Sequence, residues 1–221
     1  MTLSTSEENY LKAIYSLTKN DGDSASTNDI AKKLNTRASS VTDMTKKLSE
    51  KGFTVYQKYK GTKLTDSGFS AAVRVIRKHR LWEVFLVDKL DFKWDEVHEI
   101  AEQLEHIQSV ELTKRLDRFL GNPTVDPHGD PIPNENGELK TIDSVSLSEI
   151  NVNEKACIVG VVHSDASFLQ YLEKNALILG VEVLVQEHFD FDGSVKIKTV
   201  NEEVNLSEKV AKNIRVIKII D

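Results

Sequence analysis

The chain has 221 residues, a formal net charge of −6, one cysteine and 39% hydrophobic residues, enough for one large packed domain or several small ones. No apolar stretch approaches the ~20 residues of a membrane-spanning helix. The opening residues Met1 to Glu8 lack the basic-then-apolar pattern of an export signal. A cytoplasmic protein with no membrane partner is therefore expected. Cys157 has no partner for an internal disulfide, and its run Ala156-Cys157-Ile158-Val159 predicts a core thiol. Charge is uneven: residues 1–70 carry 11 Lys and Arg against 8 Asp and Glu, about +3, which leaves about −9 for the rest. A basic head on an acidic body suits conditional affinity for nucleic acid.

Ser6 is positioned to cap a first helix with Leu11, Ile14, Tyr15 and Leu17 inward, and Asn20-Asp21-Gly22-Asp23 ends it. Thr27 would cap a second helix over 28–34, with Ile30, Ala31 and Leu34 inward. After the turn Asn35-Thr36, a third helix runs from about Ala38 to Lys51, with Val41, Met44 and Leu48 inward and Gly52 as its stop. Residues 53–56 and 62–64 read as strands joined by Lys58-Tyr59-Lys60-Gly61. Three helices and a hairpin make a winged helix-turn-helix. Asp66 opens a long helix to about Lys89, and further helices are expected over 94–106 and 110–120. Residues 121–141 hold all four prolines and three glycines and read as a linker. From Val145 the pattern changes to short strands (156–162, 181–186, 195–199, 203–206 and 214–220), with one helix over 167–173, as in a small SH3-like barrel. The expected fold is mainly α with a β C-terminal domain, divided as 1–65, 66–143 and 144–221.

In such a head, residues near the start of the second helix of the motif face the major groove. Here these are Arg37, Ser39, Ser40, Thr42, Asp43, Lys46 and Lys47. The hydroxyls can reach phosphates or base edges, and Asp43 can accept from a cytosine amine. Arg37, Lys46 and Lys47, with Lys58 and Lys60 on the wing, suit phosphate.

Three of the six histidines fall between positions 79 and 106, each with a carboxylate at helical spacing: His79 with Glu83, and His98, Glu102 and His106 with Glu105 beside them. Imidazole with carboxylate is the donor mix of a divalent Mn, Fe, Co or Zn ion. Six donor groups exceed the need of one tetrahedral ion and suggest two sites. Asp126 and His128 add two more donors in the Pro-rich segment. The pattern points to a regulator that reads a metal and then DNA. A metallohydrolase is disfavoured, since no nucleophile elbow, phosphate loop or HExxH motif is present. The remaining alternative is a metal-independent winged-helix regulator with a structural His/Glu cluster.

With these elements in order, the chain resembles the DtxR/MntR family of metal-dependent transcriptional repressors. The resemblance rests on Glu8-Asn9-Tyr10-Leu11-Lys12-Ala13-Ile14-Tyr15, Ser39-Ser40-Val41-Thr42, Lys63-Leu64-Thr65-Asp66-Ser67-Gly68, Arg77-Lys78-His79-Arg80-Leu81-Trp82-Glu83, Glu102-Gln103-Leu104-Glu105-His106 and residues 126–133. It implies a homodimeric, non-enzymatic repressor that binds double-stranded operator DNA, takes no small-molecule substrate and carries a C-terminal SH3-like domain. It also implies one metal site of Glu102, Glu105 and His106 closed by Asn9, and another of His79, Glu83 and His98. Further ligands for the second come from Asp126, His128, Asp165 or Gln170, in that order. Iron-type relatives place sulfur where this chain has Glu102, so Mn(II) is favoured. Fe(II) is the alternative, and Zn(II) or Co(II) are substitutes in vitro. Position 9 is Asp in manganese-type and Met in iron-type relatives, and is Asn here. Lys12 stands where a binuclear manganese centre takes a carboxylate.

Overall fold

The computed structural model describes residues 3–18, 24–57, 61–140 and 142–219. Two compact units emerge. The first comprises Met1–His79, Glu102–Thr113 and Pro133–Glu138, and the second Arg80–Ala101, Lys114–Ile132 and Leu139–Asp221.

The first unit opens on α1 (Thr5–Leu17). Its cap is Ser4 rather than Ser6. The Ser4 hydroxyl accepts from the Glu7 amide, and the Glu7 carboxylate accepts from the Ser4 amide. This reciprocal pair needs a carboxylate three residues after the hydroxyl; Ser4 has Glu7, whereas Ser6 has Asn9. Leu11 and Ile14 are fully enclosed, each contributing about 1.5–3 kcal/mol by burial. Helix α2 (Thr27–Lys33) is capped by Ser26, one residue earlier than expected. Asn35, at φ 48°, turns the chain into α3 (Ala38–Glu50). Ile30, Val41 and Leu48 complete the core of this head with Tyr10, Leu11 and Ile14. Strands β1 (Thr54–Gln57) and β2 (Gly61–Leu64) pair antiparallel. Gly68 has no room for a side chain, because a Cβ there would lie 1.9 Å from the Phe53 carbonyl oxygen. Its absence lets α4 (Asp66–Leu90) start against the wing.

Helix α5 (Val97–Leu104) is shorter at both ends than the 94–106 expected. Trp94 to Glu96 form a turn, and Glu105 and His106 lie in the turn after the helix, where Ile107 N bonds Leu104 O at 3.2 Å. The face inferred from four-residue spacing therefore does not continue to His106. Helix α6 (Val110–Phe119) follows.

The Pro-rich segment has no helix and only the isolated Val125–Pro131 bridge. It is nonetheless built in rather than a free linker: Asp126, His128 and Ile132 are buried. Within the second unit, Val161 N bonds His128 O at 3.0 Å. Arg80 bonds the Pro131 carbonyl, and Arg215 reaches Asp130 at 2.8 Å.

The C-terminal region is one antiparallel sheet, made of β3 (Val145–Ser146), β4 (Lys155–Val161), β5 (Glu182–His188), β6 (Val195–Lys198), β7 (Glu203–Leu206) and β8 (Ile214–Lys218), in the order β3-β8-β4-β5-β6-β7. Helices α7 (Ala166–Lys174) and α8 (Glu208–Asn213) accompany it; α8, β3 and the 3-10 turn Leu147–Glu149 carry too few residues to register as a pattern. The core packs Leu147, Ile158, Leu172, Val185, Ile197 and Val216, among others. Ala156 and Ile158 point into it, so strand alternation sends Cys157 to the other face, half-buried. This corrects its reading as a core thiol. The architecture is the expected one, helical with a winged head and a β C-terminal region.

Candidate metal centre and DNA-facing helix

In the first unit, α1 brings two charged residues, four apart, onto the end of α5. Lys12 Nζ lies 2.7 Å from Glu105 Oε2, 3.3 Å from His79 Nδ1 and 3.7 Å from Glu102 Oε1. His79 Nδ1 is itself 2.5 Å from Glu105 Oε2. Burial pushes the Glu105 carboxyl up, but the His79 hydrogen bond and the Lys12 charge outweigh it and hold the group below its usual range. Glu102 stays at the rim, its side chain 54% exposed. His106 Nε2 is 3.7 Å from Glu105 Oε1, and its Nδ1 is 2.6 Å from Glu8 Oε2. The sequence reading nominated Asn9, which is half-buried on α1; the α1 carboxylate that meets His106 is its neighbour Glu8.

The second unit gathers Glu83, Asp126 and His128. All three are buried, and one donor atom from each lies within 4.8 Å of the others. His128 Nε2 faces the Trp94 carbonyl at 2.8 Å, which keeps a proton on Nε2, so Nδ1, 3.7 Å from Glu83 Oε2, is the nitrogen that a cation would take in exchange for a proton. The Trp94 ring stacks on the imidazole. Asp126 accepts from the amides of His128 and Asp130, both at 2.9 Å, and Arg80 Nε is 3.5 Å away. Burial and the neighbouring Glu83 carboxylate drive the Asp126 pKa up to about 7. Burial lowers the basicity of His128, yet Glu83 more than offsets it and raises that pKa to about 9. His98, half-exposed, has Nδ1 3.4 Å from Glu83 Oε1. Beside it, a cavity of about 620 Å³ is lined by Asp95, Glu96, His98, Glu99, His163 and Asp165. Gln170 donates to Asp95 at 2.7 Å. His79 is one helical turn before Glu83 on α4.

The donor chemistry fits a divalent cation. Two buried carboxylates and an imidazole with its second nitrogen tethered are the groups that hold borderline-hard metals. The Asp126 pKa is raised first by burial and then by the Glu83 and Asp130 charges, which Arg80 balances only in part.

On α3, Arg37 sits at the N-cap without a side-chain cap bond. Arg37, Ser39, Ser40, Asp43, Lys46 and Lys47 are exposed. Thr42 is half-buried and spends its hydroxyl proton on the Ala38 carbonyl at 3.0 Å. Lys47 Nζ is 3.1 Å from Glu7. Lys58 and Lys60 lie outside the described residues.

Comparison with known proteins gives three matching family profiles. Residues 2–62 match the iron dependent repressor N-terminal DNA binding domain, 65–134 the iron dependent repressor metal binding and dimerisation domain, and 145–218 the FeoA domain. The iron-dependent repressor IdeR of Mycobacterium tuberculosis (strain ATCC 25618 / H37Rv) is 36% identical over 126 residues, 57% of this chain. That match spans about half of the relative, 54% of its length. The diphtheria toxin repressor of Corynebacterium diphtheriae (strain ATCC 700971 / NCTC 13129 / Biotype gravis) is 28% identical over 95% of both chains. A solved manganese-dependent transcriptional repressor in complex with manganese superposes with TM-score 0.85 at 32% identity, over 96% of this chain and all of that one. Winged head, buried carboxylate–imidazole clusters and these likenesses agree: the chain belongs to the iron- and manganese-dependent transcriptional repressors, a family of DNA-binding regulators rather than enzymes.

Proposed function

We propose that this chain is a manganese-responsive repressor that acts in the cytoplasm as a homodimer on operator DNA and controls metal-ion homeostasis. Its working parts are the head (1–65), the helical metal-binding region (66–143) and the C-terminal region (144–221). The observation that carries the reading is the buried Glu83–Asp126–His128 set, which offers oxygen and imidazole nitrogen and no sulfur. Such a set suits Mn(II) ahead of softer ions. Glu83, Asp126 and His128 would hold the ion there, with His98 as a further ligand. Glu102, Glu105 and His106 form the other site, with Asn9 as the candidate donor from α1. Bound at the Glu83–Asp126–His128 set, a divalent cation would supply the positive charge that Arg80 provides only in part. Trp94 orients His128, Arg80 holds the loop that carries Asp126, and the exposed face of α3 presents its hydroxyls and cations to DNA. Linkage requires operator DNA to tighten metal binding by the same factor that metal tightens DNA binding, roughly 5–150-fold for a coupling of about 1–3 kcal/mol. An iron-responsive repressor is the second reading, favoured by the identity to IdeR.

The test is fluorescence anisotropy on a palindromic operator from the region upstream of the gene, titrated anaerobically with Mn(II), Fe(II) and Zn(II) and reversed with EDTA. Metal-dependent binding with the lowest midpoint for Mn(II) is expected, and Glu105→Gln should abolish the response without unfolding the chain. Tight binding that ignores EDTA would refute metal control; a lower midpoint for Fe(II) would favour the second reading.

A further inference from the structure

Glu8 is a carboxylate only 4% exposed, on a helix of the DNA-binding head, with no part in the set assigned above. Three groups face it. His106 Nδ1 lies 2.6 Å from its Oε2, Gln108 Nε2 donates to its Oε1 at 2.8 Å, and Lys78 Nζ is 3.8 Å from Oε1. Both carboxylate oxygens are thus engaged by protein groups. The contact with His106 also decides where that ring carries its proton. An ionised carboxylate only accepts hydrogen bonds. At 2.6 Å a bare Nδ1 would set lone pair against lone pair, so Nδ1 must bear the hydrogen. In the neutral ring, the lone pair then resides on Nε2, the nitrogen that faces Glu105 Oε1 at 3.7 Å. Carboxylate, imidazole and open nitrogen lie in series, the arrangement that aligns a histidine for a cation and raises its basicity.

We infer that Glu8 is the positioning residue of the His106 ligand: it fixes the tautomer and the ring, and through this bond it fastens α1 of the head to the metal site. The inference rests on the reading that Glu105 and His106 hold a divalent ion. Glu8 sits behind His106 rather than beside it, so its effect must pass through the imidazole.

That dependence is measurable in the full-length protein. Mn(II) affinity is read by chelator competition for Glu8→Gln, His106→Ala and the double variant, each in a Glu83→Gln background so that the titration reports this site alone. Glu8→Gln keeps shape and removes charge, and is expected to weaken binding 10–100-fold. His106→Ala should weaken it at least as much, and adding Glu8→Gln to His106→Ala should cost nothing more. Equal affinity of Glu8→Gln and its parent, or losses that multiply in the double variant, would overturn the positioning role. An unchanged His106→Ala would instead overturn the metal assignment itself, and the inference with it. The unaltered, metal-free protein gives a check independent of folding in any variant. Long-range 1H–15N correlation, recorded at a pH high enough to leave the imidazole neutral, should find the His106 ring protonated at Nδ1 and bare at Nε2; a proton on Nε2 instead would sink the proposal.

Discussion

Glu7 is 1% exposed, yet its carboxylate is kept charged. Burial pushes its pKa up, but hydrogen bonds from Lys51 at 2.6 Å, the Ser4 amide and Lys47 bring it down to about 2. The folded pKa lies below the usual 4.5, so its contribution to stability is present above that value and is lost as pH falls toward 2. Glu7→Gln should cost about 1–2 kcal/mol at pH 7 through the lost charge and weakened capping box. The difference between variant and parent in urea melts should shrink steadily between pH 4.5 and 2.5; a constant difference would mean that charge plays no part. Nothing in the sequence around α1 singles this carboxylate out for ion pairing. Its partners Lys47 and Lys51 lie on α3, and spacing along one helix says nothing about which lysine another helix will deliver. Glu8 is unmarked for the same reason: spacing along α1 does not say that its carboxylate faces His106, 98 residues away.

Among the elements, those specified locally were legible. The head follows from turn residues and apolar spacing, with its first two caps lying one or two residues earlier than expected, and five of the six C-terminal strands follow from alternating runs bounded by turns. The end of α5 was not, because no Gly or Pro stands near Leu104. There the chain leaves the helix as Glu105 turns to His79 and Lys12 and His106 to Glu8, contacts formed over 26 to 98 residues of sequence. Composition misread the Pro-rich segment as well. Its prolines and glycines spell flexibility when counted, but Gly129, at φ 82°, brings the backbone so close to β4 that a Cβ would lie 2.0 Å from the Val159 carbonyl oxygen. Gly129→Ala should therefore unseat the loop that carries Asp126 and His128, at a cost of at least about 1–3 kcal/mol. Calorimetric titration should show one Mn(II) equivalent lost and the Glu105–His106 site retained. Retention of both equivalents would mean that the loop's seat does not matter to the metal.

At the scale of the whole molecule, α6 exposes Val110, Leu112 and Phe119, the last at 64%, and Lys89 Nζ lies 5.7 Å from the Phe119 ring centroid. A family whose central region is a dimerisation domain makes Leu112 and Phe119, which share one face of α6, candidates for contact with a second copy of the chain. Phe119→Glu should weaken self-association by at least tenfold, about 1.4 kcal/mol, and shift the sedimentation coefficient toward the monomer; an unshifted dimer would place the interface elsewhere. Operator affinity should fall with it, because each half-site then binds alone. The neighbouring pair on α1 carries a consequence for how this protein tolerates drift. Glu7 grips α3 and Glu8 grips His106 of the proposed metal site, one peptide unit apart, while Ser4, Thr5 and Ser6 before them are exposed. In a saturation library of positions 5–8, selection for folded protein alone should purge changes at Glu7 and spare many at Glu8. Selection for repression in living cells should purge both, and leave Thr5 and Ser6 free to vary.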